Sequence, residues 1–172
     1  GVQCLSPAVV YGRWNCPWTH RLLPFLNFTP LKYFSYCRED APFGLRDEAL
    51  RGKIAAQYDK TSLKDSSGAS SLWYAHFPVR LFCEMRRLIA RCKAILPQVR
   101  CPLLLVQADN DDMTSPRNSQ YSMDHAGSKR RELVLLKEAY HGVTADLERA
   151  KVATELQRFC ASQSVPNRGT SG

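Results

Sequence analysis

Pro102-Leu103-Leu104-Leu105-Val106-Gln107-Ala108, running into Asp109-Asn110-Asp111-Asp112-Met113-Thr114-Ser115-Pro116, is the stretch on which the fold turns. A short unbroken apolar run suits a parallel strand covered on both faces, because neither face of such a strand meets water. A polar turn follows from Ala108 to Ser115, and a helix is expected from about Pro116 to Ala126. Pro116 fits its first turn, where a backbone N–H has no helical partner to lose. Gly127 ends it. Glu132-Leu133-Val134-Leu135-Leu136-Lys137 reads as a second strand, polar at both ends as near a sheet edge, and His141 follows within a few residues. Asp146 to Cys160 is expected as a closing helix with Leu147, Ala150, Val152, Ala153, Leu156 and Phe159 on its apolar face. Residues 102–160 are therefore strand, loop, helix, strand, loop, helix, two steps of a parallel sheet, and the chain is of the α/β class. In such sheets the loops leaving the carboxyl ends of the strands line the ligand crevice. Asp111 and His141 each occupy one of those loops, on one rim, after neighbouring strands.

The N-terminal side reads differently. Val2-Gln3-Cys4-Leu5 before Ser6-Pro7 has the character of a buried strand ending in a turn. No convincing strand is expected between residues 8 and 100. Trp14, Trp18, Leu22, Leu23, Phe25, Leu26 and Phe28 form a dense apolar patch cut by Pro17, Pro24 and Pro30, which implies short helices and bends. Arg46 to Tyr58 is a helix candidate, and Lys60 to Ser71, rich in Ser, Lys, Asp and Gly, reads as a loop. Phe77 to Leu96 is the clearest helix, with Phe77, Leu81, Met85, Leu88, Cys92 and Leu96 at helical spacing. Its outer face carries Arg80, Arg87 and Arg91. From Ser162 the tail has little to bury and is expected to be disordered.

Composition bounds the function classes. With 172 residues, 44% hydrophobic and 23% charged, the chain matches a globular domain with a real core. No apolar run approaches the ~20 residues needed to cross a bilayer. The net charge of +8 raises the question of a polyanion partner. The bases fall on a helix exterior and in an expected loop at Lys129-Arg130-Arg131, with no nucleic-acid-reading motif, so no specific nucleic-acid partner is expected. Seven cysteines form no C-x-x-C pair and no zinc spacing. They read as reduced, buried thiols, which places the protein in the cytoplasm. Asp109-x-Asp111 begins like a calcium loop but lacks the glycine at the sixth and the glutamate at the twelfth position. Neither a metal nor a cofactor is expected.

A histidine acting as general base needs its other ring nitrogen held by a carboxylate, which an acid after one strand and a histidine after the next supply. Here the sequence resembles a known superfamily. Leu104 to Pro116 is similar to the acid loop of α/β-hydrolases, an apolar strand followed by G-x-x-D-x-x-V-x-P. Tyr140-His141-Gly142-Val143-Thr144-Ala145-Asp146-Leu147-Glu148-Arg149 resembles their histidine loop, in the carboxylesterase, monoacylglycerol-lipase-like and serine-aminopeptidase-like branch. The order, acid then histidine, agrees. Among the three neighbouring acids the spacing to Pro116 favours Asp111, and Ala108 stands where that family has glycine. Over residues 1–160 the resemblance implies a core strand at 1–7 after the nucleophile, a helical cap at 8–96, a C-terminal core at 97–160 and a tail at 161–172. It assigns Asp111 and His141 as catalytic and puts Trp14 and Trp18 over an apolar part of the substrate, a small-molecule or lipid-like carboxylic ester.

The nucleophile elbow G-x-S-x-G of that superfamily is not in the chain. Ser6 precedes the acid and histidine in the right order, but the residue after the nucleophile must donate its N–H to the oxyanion, and Pro7 has none. Ser6 is rejected. The expectation is the C-terminal fragment of a serine ester hydrolase, inactive alone, with the nucleophile encoded upstream. The alternative is a non-catalytic binding or scaffold protein with the same fold. His20, His76 and His125 lack comparable context and are read as cap or surface residues. Oligomeric state is not legible.

Overall fold

A computed structural model of the chain describes residues 1–10, 21–38, 41–58 and 76–163. Strand β1 (Val2–Leu5), β4 (Leu103–Ala108) and β5 (Arg131–Leu136) form a parallel sheet in the order β1-β4-β5. Between β1 and β4 come helix α1 (Leu23–Leu26), strand β2 (Tyr36–Arg38), helix α2 (Glu48–Tyr58), strand β3 (His76–Pro78) and helix α3 (Val79–Ile95). Helix α4 (Arg117–His125) joins β4 to β5, and α5 (Arg149–Gln163) closes the described chain.

Every residue of β4 is buried, as its run of Leu and Val anticipates for the central strand. Its alternate residues feed two separate cores. Leu104, Val106 and Ala108 pack with Leu136, Ala139, Val143, Val152 and Phe159 beneath α5. Leu103 and Leu105 pack with Ala126, Leu96 and Met123 on the α4 side. The result is three layers, helix on sheet on helix, with register Cys4–Leu105–Leu133 across the strands. Gly127, just past α4, lies against Pro97: a Cβ there would meet its carbonyl oxygen at 2.0 Å, so only glycine lets α4 end so close to the turn. Among the described residues β1 is bonded on one edge only.

Several features differ from the expectations, among them Leu147, which precedes α5 and is exposed instead of lying on its apolar face. The region 8–100, read as strand-free, contains β2 and β3, which pair antiparallel through Tyr36–Pro78, Cys37–Phe77 and Arg38–His76. Segments of three residues are too short to show a period of two. Helix α3 buries Val79 and Cys83 against Leu23, with Phe82, Leu26 and Cys37 packed around them, and leaves Leu81 49% and Leu88 60% exposed. The helix carries two apolar stripes, and packing selects the one that sequence spacing makes less conspicuous. Finally, among the six described cysteines only Cys83 is buried, Cys101 and Cys160 are exposed, and none of the six is in a disulfide. Trp14, Trp18 and His20 lie outside the described residues, as do the loop after residue 60 and the tail beyond 163. No described helix is long and apolar enough to cross a membrane.

These assignments predict a contrast in urea unfolding. Leu104→Ala, which opens the core under α5, should cost about 3 kcal/mol. Leu88→Ala on the outer stripe of α3 should stay within about 0.5 kcal/mol of wild type. A large loss from Leu88→Ala would return that stripe to the core.

Candidate active site

The register that joins β4 to β5, Ala108 opposite Leu136, brings the two following loops to one rim, and the Asp109 N–H donates to the Leu136 carbonyl at 2.8 Å to hold them together. Asp111 and His141 meet there: His141 Nδ1 lies 3.0 Å from Asp111 Oδ2. The carboxyl is fully buried and the imidazole 30% exposed, so one partner is locked in protein while the other faces outward. With Nδ1–H donating to Asp111, Nε2 is the ring atom that can take a proton.

The Asp111 carboxyl is fixed on every side. Oδ1 accepts the backbone N–H groups of Met113 at 2.8 Å and Thr114 at 2.7 Å. Oδ2 accepts Gln107 Nε2 at 2.7 Å and the Thr114 hydroxyl at 3.0 Å in addition to the imidazole. Gln107 is itself held by the Ser119 hydroxyl at 3.0 Å, so a buried polar chain runs from α4 through β4 to the acid. Burial favours the protonated carboxyl, but the hydrogen bond and positive charge of His141 and the two backbone N–H groups outweigh it, and Asp111 is held below its ordinary range.

The neighbouring acids part company with it. Asp109 is exposed, while Asp112 and Asp146 are fully buried. Asp112 accepts the Gly44 N–H at 3.1 Å and the His141 N–H at 3.3 Å. Asp146 accepts the N–H groups of Arg46 and Tyr140 at 2.7 Å and of Asp47 and Leu147 at 2.9 Å. Ser6, at the end of β1 with φ +45°, donates its hydroxyl to the His141 carbonyl at 2.7 Å. Its oxygen serves the backbone of the histidine loop. Sequence reasoning missed Gln107, Thr114, Asp112 and Asp146. The available signal was a polar residue inside an apolar run for Gln107, and for Asp112 the fact that adjacent acids on a turn point in different directions.

The basic run is tied down as well. Arg131 opens β5 instead of lying in a loop, and its guanidinium donates to the carbonyls of Met123 and Ala126. Arg130 and Arg158 both pair with Glu132, at 2.9 and 2.6 Å.

Parallel β-α steps with an acid and a histidine meeting on their shared rim define an α/β-hydrolase core. A model of the serine aminopeptidase S33 family matches residues 6–148, and the chain belongs to that family. It is similar to the thermostable monoacylglycerol lipase of Bacillus sp. (strain H-257), with 28% identity over 93 residues, 54% of this chain and 37% of that protein. Among solved structures, the monoacylglycerol lipase of Paleococcus ferrophilus superposes with a TM-score of 0.70 at 16% identity, covering 94% of this chain and 58% of that one. A soluble variant of the Saccharomyces cerevisiae monoglyceride lipase gives 0.69 at 15% identity, covering 94% and 55%. These likenesses show the fold, and the chain spans little more than half of those structures.

A carboxyl held below its ordinary range contributes stability that is complete above the unfolded-chain value and is lost as pH falls through the folded one. The stability gap between wild type and Asp111→Asn, read from urea midpoints, should therefore persist from pH 7 to about pH 5 and shrink below about pH 4. A gap independent of pH down to 3 would mean that folding leaves the proton affinity of this carboxyl unchanged.

Proposed function

We propose that the chain is the C-terminal portion of a serine ester hydrolase, in which Asp111 and His141 are the acid and base of a Ser-His-Asp triad. The observation that carries this reading is the 3.0 Å contact between Nδ1 and a buried carboxylate on the rim of a parallel sheet. On this reading the nucleophile belongs to sequence upstream of Gly1, and residues 8–96 form the cap. The substrate class is a lipid-like carboxylic ester, supported by the likeness to a relative named as a monoacylglycerol lipase. The aromatic run with Trp14 and Trp18 would cover its apolar part. The absence of a disulfide among the six described cysteines is in keeping with a cytoplasmic setting.

The steps follow from the ring's two nitrogens. His141 Nε2 takes the proton of the serine hydroxyl as the oxygen attacks the ester carbonyl. Asp111, ionised and unable to rotate, favours the imidazolium that results. The imidazolium then protonates the departing alcohol oxygen, leaving an acyl-serine, and the same nitrogen activates water to release the acid. Ser6 has no part in this, because Pro7 offers no oxyanion N–H and the Ser6 hydroxyl is turned to the His141 carbonyl.

Two outcomes test the assignment. In a protein extended upstream to include a G-x-S-x-G, a fluorophosphonate labels the serine, and His141→Ala suppresses that labelling. There Asp111→Asn lowers kcat by about 10⁴-fold. Undiminished labelling of His141→Ala would remove His141 from the role of base.

A further inference from the structure

The carboxyl next to the acid faces a different part of the molecule. Asp112 sits between two backbone N–H groups that are far apart in sequence, Gly44 on Oδ2 and His141 on Oδ1. The same two segments touch again directly, since the Gly142 N–H donates to the Gly44 carbonyl at 2.6 Å. Phe43 and Gly44 have φ of +56° and +69°, a left-handed pair that costs a phenylalanine conformational energy and has to be held in place by its surroundings. A Cβ on Gly44 would come within 3.2 Å of the His141 Cβ and 3.3 Å of the Gly142 nitrogen. A Cβ on Gly142 would meet the Gly44 carbonyl oxygen and the Leu45 side chain, both at 3.0 Å. Two residues further along, Asp146 staples Arg46 and Asp47 to Tyr140.

We infer that Asp112 and Gly44 are positioning residues, which fix the backbone of His141 so that its imidazole stays in register with Asp111. This rests on the reading of Asp111 and His141 as a catalytic dyad. The segment 42–47 belongs to the long insertion between β1 and β4, whereas Asp112 and His141 belong to the loops of β4 and β5. Close backbone contact leaves little slack between them: the His141 main chain is held by Asp112 at its N–H and by Ser6 at its carbonyl, and there is no room for a Cβ on Gly44 without crowding the His141 Cβ. Displacing the segment therefore displaces the histidine. The insertion thereby sets the geometry of the dyad without supplying a reacting group.

The test uses the 172-residue chain and follows the titration of the His141 Cε1–H by NMR. Gly44→Ala changes no charge and does not touch the ring, yet it should lower the midpoint by about one pH unit, a tenfold loss of proton affinity, as the imidazolium loses its aligned carboxylate. Gly52→Ala, whose added methyl has nothing within 4 Å, leaves the midpoint in place. Asp112→Ala, which removes both acceptor oxygens, should speed hydrogen exchange at the amides of both Gly44 and His141. A folded Gly44→Ala with the wild-type midpoint overturns the inference, as does a folded Asp112→Ala with wild-type exchange at His141. Should Gly44→Ala not fold, Gly142→Ala presses the same contact from the other side and is read by the same criterion. Asp111→Asn separates the two readings: if it leaves the midpoint unmoved, the dyad fails, whereas a shift in Asp111→Asn alone sinks only the clamp.

Discussion

The arrangement depends on one constraint: a carboxylate placed out of contact with water at the end of β4 must have its lone pairs satisfied by the protein. Asp111 meets that demand with two backbone N–H groups, an amide, a hydroxyl and an imidazole. Because each donor is fixed by its own element, the acid has one orientation, and the imidazole that pairs with it inherits that orientation. Gln107 on β4 and Thr114 ahead of α4 belong to this arrangement as much as the acid does. Hydrogen bonds to a charged group contribute about 1.5–3 kcal/mol each, so even part of this set exceeds what a stray rotamer of Asp111 could recover.

The same device appears three times within one small volume. Asp111, Asp112 and Asp146 are all fully buried, and each accepts backbone N–H groups. Their partners divide the labour. Asp111 holds the turn after β4 and the imidazole, Asp112 holds the histidine backbone against residue 44, and Asp146 ties residues 46–47 to the start of the histidine loop. Loops gain the rigidity of a strand end in this way, although their own backbone bonds are few.

How much of this the sequence disclosed follows from what periodicity can encode. The run Leu103 to Val106 and the placement of His141 after β5 were legible because they follow from burial on two faces and from parallel connectivity; the spacing from Asp111 to Pro116 was legible through the resemblance to the acid loop of α/β-hydrolases. Helix α3 was legible in extent but not in orientation, since its Leu81-Leu88 stripe and its Val79-Cys83 stripe are both apolar and only the tertiary neighbour Leu23 decides between them. The pairing of residues 36–38 with 76–78 was invisible, being short and remote in sequence. At the site, the acid and histidine stood out because their chemistry matches a familiar order. The clamp residues did not, because an aspartate that accepts a distant glycine N–H leaves no local pattern. Ser6 drew notice for its hydroxyl, while its role in the structure is to hold a carbonyl.

The most direct measurement is the tautomer of His141, read from the ¹⁵N shifts of its two ring nitrogens in the neutral imidazole. The hydrogen bond to Asp111 requires the proton on Nδ1, and Asp111→Asn should release the ring to the other tautomer. A wild-type ring carrying its proton on Nε2, unchanged by that substitution, would contradict the pairing from which the rest is built.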